Sequence, residues 1–209
     1  MKTKAVLFDL DGTLVDSLPL IVRTYRQVFE ELKIPWGNDD VVKMIGLPLK
    51  DIGRHFSGEQ ASRFEELYQF YYHRDHDRYT SLFPGTLPLL DRLKEKGIRM
   101  GIVTSKGKPG ASRTIAFTGI EPYMDIVVTA HDVIKHKPEP EPLLNALNYL
   151  GIKAVHSILV GDSRFDILTG KNAGSRTLGV TWGLGRREEL EQLEPDGLID
   201  RWEDLIKYL

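Results

Sequence analysis

The chain has 209 residues, 41% hydrophobic and 28% charged, which is room for one large domain or for one domain carrying an insert. Lys and Arg total 28 against 30 Asp and Glu, a formal charge of -2 that excludes nucleic-acid binding through bulk positive charge. A cysteine count of zero removes disulfides, thiolate zinc sites and cysteine nucleophiles, and the N-terminal apolar run is too short for a signal peptide or a membrane span. The expectation is a soluble cytoplasmic protein with neither a nucleic-acid nor a membrane partner, as a monomer or homodimer.

In chain order, Ala5-Val6-Leu7-Phe8 is a short, continuously apolar run, the pattern of a parallel strand covered on both faces, and it ends at the acidic turn Asp9-Leu10-Asp11-Gly12-Thr13. From about Ser17 to Tyr79 no strand pattern occurs. Ile21, Tyr25, Val28, Phe29 and Leu32 form one helical stripe, and Phe64, Leu67, Tyr68 and Tyr71 another, with turns at Pro35-Trp36-Gly37-Asn38 and Gly46-Leu47-Pro48. Phe83-Pro84-Gly85 marks the return to alternation. Leu87, Leu90 and Leu93 predict a helix stopped at Gly97; Met100–Val103, Ile126–Val128, Ile158–Val160 and Thr177–Val180 predict further strands. Leu143, Leu147 and Leu150 predict a helix stopped at Gly151. Such alternation defines an α/β fold, a Rossmann-like parallel sheet, here interrupted by a helical insert. The expected division is a core of residues 1–16 and 79–209 and a helical cap of residues 17–78.

In an open parallel sheet, ligands sit beyond the C-terminal strand ends. Those ends offer Asp9 and Asp11, then Thr104, Ser105 and Lys106, then Asp162 and Asp166, while a proline-rich loop adds Lys137. Four carboxylates at one rim repel one another unless a cation lies among them, and a hard, oxygen-preferring ion such as Mg²⁺ bound together with a phosphate suits that donor set. Residues two apart on an extended segment share a face. One of Asp9 and Asp11 can then attack phosphorus while the other handles the leaving-group proton. Ser105 and nearby backbone N–H groups suit phosphate oxygens at a helix start, and Lys137 suits developing negative charge.

With those residues in place, the sequence resembles the haloacid dehalogenase superfamily of phosphatases. Asp9-Leu10-Asp11-Gly12-Thr13-Leu14-Val15, Val103-Thr104-Ser105, Lys137-Pro138 and Gly161-Asp162-Ser163-x-x-Asp166 are similar to its four motifs, in the family's order, across essentially the whole chain. The resemblance implies that Asp9 is the nucleophile that forms an aspartyl-phosphate, and that Asp11 protonates the leaving group and then activates water. It implies that Ser105 and Lys137 bind the phosphoryl group, and that Asp9, the Asp11 carbonyl and Asp162 hold Mg²⁺ with Asp166 in support. Within the family the chain looks most similar to bacterial phosphoglycolate phosphatases and to the related pyrophosphate-hydrolysing subgroup. Gly46-Leu47-Pro48 lies where such caps carry a substrate-facing loop, and Val127-Val128-Thr129, His136-Lys137-Pro138 and Glu194-Pro195-Asp196 resemble the pyrophosphatase branch. The expected substrate is a small phosphorylated metabolite, phosphoglycolate first and inorganic pyrophosphate as the alternative.

Plainer roles compete at several of these positions. Asp162, Asp166 and Ser105 all suit helix caps, and Lys106 can be either solvated or in touch with substrate. His73-Arg74-Asp75-His76-Asp77 reads as a solvated helix end rather than a metal site, Trp36, Trp182 and Tyr71-Tyr72 as packing, and Gly183-Leu184-Gly185-Arg186 as a loop entering a short helix. Other functions also compete. Asp11 argues against a dehalogenase, the absence of arginine in Gly46–Lys50 argues against a phosphosugar mutase, and the inserted cap argues against a receiver-type phospho-Asp switch.

Overall fold

A computed structural model of the chain describes residues 2–209. Ala5–Phe8 forms the fully buried strand β1, its four apolar side chains serving both faces of a sheet. After it come β2 (Val15–Asp16), α1 (Leu18–Glu31), α2 (Leu49–Ser57), α3 (Ala61–Asp75) and β3 (Ser81–Leu82). The rest alternates: α4 (Thr86–Glu95), β4 (Arg99–Val103), α5 (Lys108–Thr118), β5 (Ile126–Val128), α6 (Glu141–Leu150), β6 (Ser157–Gly161), α7 (Arg164–Ala173), β7 (Arg176–Val180), α8 (Arg187–Glu191), β8 (Gly197–Ile199) and α9 (Trp202–Leu205).

Six strands form one all-parallel sheet in the order β5-β4-β1-β6-β7-β8. The order reverses on either side of β1, so its C-terminal end, flanked by those of β4 and β6, is the position where such sheets open a crevice. The expected strands all form. The sequence reading missed β8, a three-residue edge strand beside β7, and the short antiparallel pair β2–β3. Val15 pairs with Leu82 and Asp16 with Ser81, so the segment leaving the core and the segment returning to it lie side by side.

Two apolar clusters cover the faces of the sheet, one built on Val6, Phe8, Leu90, Met100 and Trp202, the other on Leu7, Val103, Leu143 and Leu159. A third belongs to the helical segment: Leu20, Ile21, Tyr25, Val28 and Phe29 of α1 pack on Ile52 of α2 and on Phe64, Leu67, Tyr68 and Tyr72 of α3. We propose that residues 17–78 form a cap with this cluster as its own small core. Two stripes are phased differently from the expectation. Leu87 is exposed while Leu89, Leu90 and Leu93 are buried, and on α3 the buried tyrosine is Tyr72 rather than Tyr71.

Candidate active site

Strand β1 delivers Asp9 to the rim, where its amide donates to the Val160 carbonyl at 2.8 Å and locks it beside the end of β6. The chain then folds back on itself. Gly12 has φ +85° and its amide donates to Val15 O at 2.8 Å; a Cβ here would collide with the Asp162 carboxylate, so only glycine lets this turn lie on Asp162. The Thr13 hydroxyl donates to Asp162 Oδ1 at 3.2 Å, and Trp182 Nε1 donates to Thr13 O at 3.1 Å.

Asp166 sits in the first turn of α7, where its Oδ2 accepts from the amide (3.1 Å) and hydroxyl (2.6 Å) of Ser163, a capping box. Its other oxygen accepts from Lys137 Nζ at 2.5 Å, and the same ammonium donates to Asp9 Oδ1 at 2.8 Å. Capping and site membership therefore coexist in one carboxylate. Lys137 is buried, and although burial alone would lower its pKa, the charges of Asp166 and Asp9 outweigh that and raise it.

Carboxylate oxygens of Asp9, Asp162 and Asp166 lie within 4.8 Å of one another. Burial pushes the Asp9 carboxyl up to about 7, with Lys137 pulling against Asp166 and Asp11. Burial and the charges of Asp166 and Asp9 also push Asp162 well above the usual range, although it accepts from the Leu184 amide and the Thr13 hydroxyl. Were all three carboxylates ionised, they would face one ammonium with two negative charges uncompensated, which is why burial and mutual repulsion raise Asp9 and Asp162. An all-oxygen donor set with that deficit fits a hard divalent cation such as Mg²⁺.

The Asp11 carboxylate stands apart from this group. It accepts from Lys106 Nζ at 2.7 and 2.9 Å and from the Ser17 hydroxyl at 2.6 Å. The extended geometry that would align Asp9 with Asp11 ends at Phe8; both acids line the same cleft but face different cations. Lys106 is not solvated, since its ammonium also donates to the Tyr72 hydroxyl at 2.6 Å. At the tip of β4, Thr104 Oγ1 accepts the Lys106 amide at 3.1 Å, while the buried Ser105 hydroxyl has no partner among the described residues. A buried unpartnered hydroxyl costs stability unless a ligand satisfies it.

The cleft between this rim and the cap has a volume of about 650 Å³. Asp9, Asp11, Thr104, Ser105, Lys106, Lys137, Asp162 and Asp166 all line it from the core, and Gly46 lines it from the cap. Gly46 has φ +106°, and a Cβ there would lie 2.7 Å from the Phe165 ring, so glycine brings the cap loop down onto the α7 start.

Several participants escape sequence reasoning. The Leu184 amide donates to Asp162 Oδ2 at 2.7 Å and the Gly185 amide to Asp162 O at 2.9 Å, so the glycine-flanked loop before α8 is a cradle for Asp162. The glycine spacing was the only signal of it. The segment His73–Asp77 is only in part the expected solvated end: Arg74 and Asp77 are exposed, while its histidines meet α5 in a docking seam. His76 is fully buried with Nε2 3.0 Å from the Thr114 hydroxyl, and Arg113 donates to Asp77 at 2.9 Å and meets His73 at 3.1 Å.

A switch-point crevice with a DxD turn, a buried lysine and an acid cluster is a site built for phosphoryl chemistry or its relatives, and comparison narrows it to a class of hydrolase. Residues 6–180 match the haloacid dehalogenase-like hydrolases, and the chain belongs to that family. Pyrophosphatase PpaX of Bacillus velezensis is 35% identical over 206 residues, 98% of this chain and 95% of that protein. Pyrophosphatase PpaX of Oceanobacillus iheyensis is 32% identical over 99% of this chain and 96% of its own. A solved structure, a hydrolase of the haloacid dehalogenase-like family from Streptococcus pneumoniae, superposes with a TM-score of 0.85 at 27% identity, covering 99% of this chain and 98% of that one. Among the described residues no helix is long and apolar enough to cross a membrane.

Proposed function

We propose that this protein is a Mg²⁺-dependent phosphohydrolase that works through a phosphorylated Asp9, with inorganic pyrophosphate as its substrate. The observation that carries the chemistry is the division of labour at the rim. Asp9 is tied to Lys137 and the carboxylate cluster, Asp11 is tied separately to Lys106, and an unpartnered Ser105 hydroxyl shares the cleft with both. The relatives named as pyrophosphatases, matched end to end, move the substrate from phosphoglycolate to pyrophosphate.

Asp9 attacks phosphorus through one carboxylate oxygen, and the bond from phosphorus to the bridging oxygen breaks. Asp11 gives its proton to that departing oxygen. As a carboxylate it then takes a proton from water, whose oxygen attacks phosphorus and releases Asp9. Ser105 and Lys137 hold the phosphoryl oxygens, Lys137 balancing charge as it develops. Asp9, Asp162 and Asp166, with the Asp11 carbonyl, would hold the Mg²⁺ ion, which neutralises phosphoryl charge when bound. The Gly46 loop closes the cleft on the cap side and limits the entry of water.

The test is phosphate release from pyrophosphate, phosphoglycolate and hexose phosphates, with Mg²⁺ supplied or withheld. Pyrophosphate should give the highest kcat/KM, and Asp9→Asn should abolish turnover. Faster hydrolysis of phosphoglycolate would overturn the substrate while leaving the mechanism; turnover by Asp9→Asn would overturn the mechanism.

A further inference from the structure

Lys106 is held at both ends. Its stem passes over the first turn of α5, where a Cβ on Gly110 would come within 3.2 Å of Lys106 Cε. Its ammonium grips both oxygens of Asp11, at 2.7 and 2.9 Å, and the Tyr72 hydroxyl at 2.6 Å, and lies 4.4 Å from the centroid of the Tyr72 ring. The side chains of Lys106 and Asp11 are only 12% and 13% exposed. Among the described residues no other lysine or arginine forms an ion pair with Asp11. A free surface lysine would forfeit side-chain entropy to hold such a geometry; here packing has already removed that freedom.

Tyr72 belongs to the cap, on α3, one turn before the seam where His76 meets Thr114 of α5. Its ring stacks on Tyr68 at 5.7 Å. The position of Tyr72 is thus set where the cap docks on the core, and Lys106 carries that position to Asp11.

We propose that Lys106 is a positioning residue that aims the Asp11 carboxyl at the leaving-group oxygen, and that Tyr72 makes this aim depend on cap seating. The proposal rests on the reading that Asp11 handles the leaving-group proton. Lys106 acts through Asp11, so its loss falls on the bond-breaking step and falls hardest on leaving groups that need a proton. A lysine acting as a substrate ligand would instead raise KM for every substrate alike.

Two aryl phosphates of similar size separate these roles: phenyl phosphate, with a poor leaving group, and p-nitrophenyl phosphate, whose phenolate departs without a proton. With the full-length protein and Mg²⁺, Lys106→Met should lower kcat/KM for phenyl phosphate by roughly tenfold more than for p-nitrophenyl phosphate, a part of what general acid catalysis supplies, with KM not raised. Tyr72→Phe keeps the ring and should give the same bias, smaller, which keeps the test open should Lys106→Met fold poorly. In an Asp11→Asn background, already biased, Lys106→Met should add nothing further. Equal losses on both substrates with a raised KM, or full additivity with Asp11→Asn, would overturn the proposal. Asp11→Asn retaining the wild-type preference would instead show that the underlying proton assignment is wrong, and the proposal would fall with it.

Discussion

Replacing Lys137 by Met removes one ammonium and keeps an unbranched stem of similar length. In the wild type that ammonium donates to Asp9 at 2.8 Å and to Asp166 at 2.5 Å from a buried position. Without it, Asp9, Asp162 and Asp166 share a pocket with no buried counter-charge from Lys137. Removing one partner of a buried ion pair costs about 3–5 kcal/mol, because the remaining charge stays desolvated. For a chain of this size each kcal/mol shifts the midpoint by about 2–4 °C, so the metal-free variant should unfold about 6–20 °C below wild type. A divalent cation seated among the same carboxylates supplies charge that the lysine no longer does. Mg²⁺ at a hundred times its Kd should return about 2.7 kcal/mol. Thermal unfolding in EDTA and in a Mg²⁺ series measures both numbers, and hydrolysis of pyrophosphate should fall by about 10²–10³ even where stability is restored. A variant that melts in EDTA within about 2 °C of wild type, a loss of under about 1 kcal/mol, would refute the idea that Lys137 balances the cluster.

Asp162→Asn should fold and yet lose most of the Mg²⁺-induced rise in Tm, read by the same unfolding series; an unchanged rise would place the cation elsewhere. Ser105→Ala removes a buried hydroxyl that has no partner, so Tm should hold or increase slightly while kcat/KM falls by about tenfold or more. An equal loss of stability would mean that the hydroxyl holds the fold instead. Burial lowers the His76 pKa from its ordinary 6.5, so below that pH the unfolded chain takes up a proton that the folded chain resists. The stability of neutral His76 is thus present above about pH 6.5 and drains away as pH falls below it. The stability difference between wild type and His76→Gln should shrink from pH 7 to pH 5 in urea titrations; a constant difference would contradict the buried seam.

Legibility in the sequence followed the range of the interaction that decides each feature. Ala5–Phe8 was readable because a strand buried on both faces leaves a local, continuous mark. Gly197–Ile199 was not, since a three-residue edge strand has no period to detect and forms only because β7 already offers an edge. That Asp9, Ser105, Lys137 and Asp162 gather at one rim was readable, because each sits where a strand or proline-marked loop ends. The partners that define them were not. Lys106 and Asp11 are 95 positions apart, Tyr72 and Lys106 are 34 apart, and the latter pairing exists only because α3 docks on α5. The histidines of that seam misled for the same reason: their polarity suggested solvent until Thr114 and Arg113 were brought against them.

The same reasoning explains how two aspartates two residues apart can do different work. Local sequence makes Asp9 and Asp11 equals; tertiary structure separates them. Asp9 lies against β6, faces Asp166 across Lys137, and has its carboxyl pushed up to about 7 by burial. Asp11 turns toward the cap, where Ser17 from the exit of the core and Lys106 bonded to Tyr72 fix both its oxygens. One acid is therefore placed by the sheet and the other by groups that meet the cap. Changes in the cap, at Tyr72 for example, should disturb the proton step while leaving the carboxylate cluster intact, and changes at Lys137 should do the reverse.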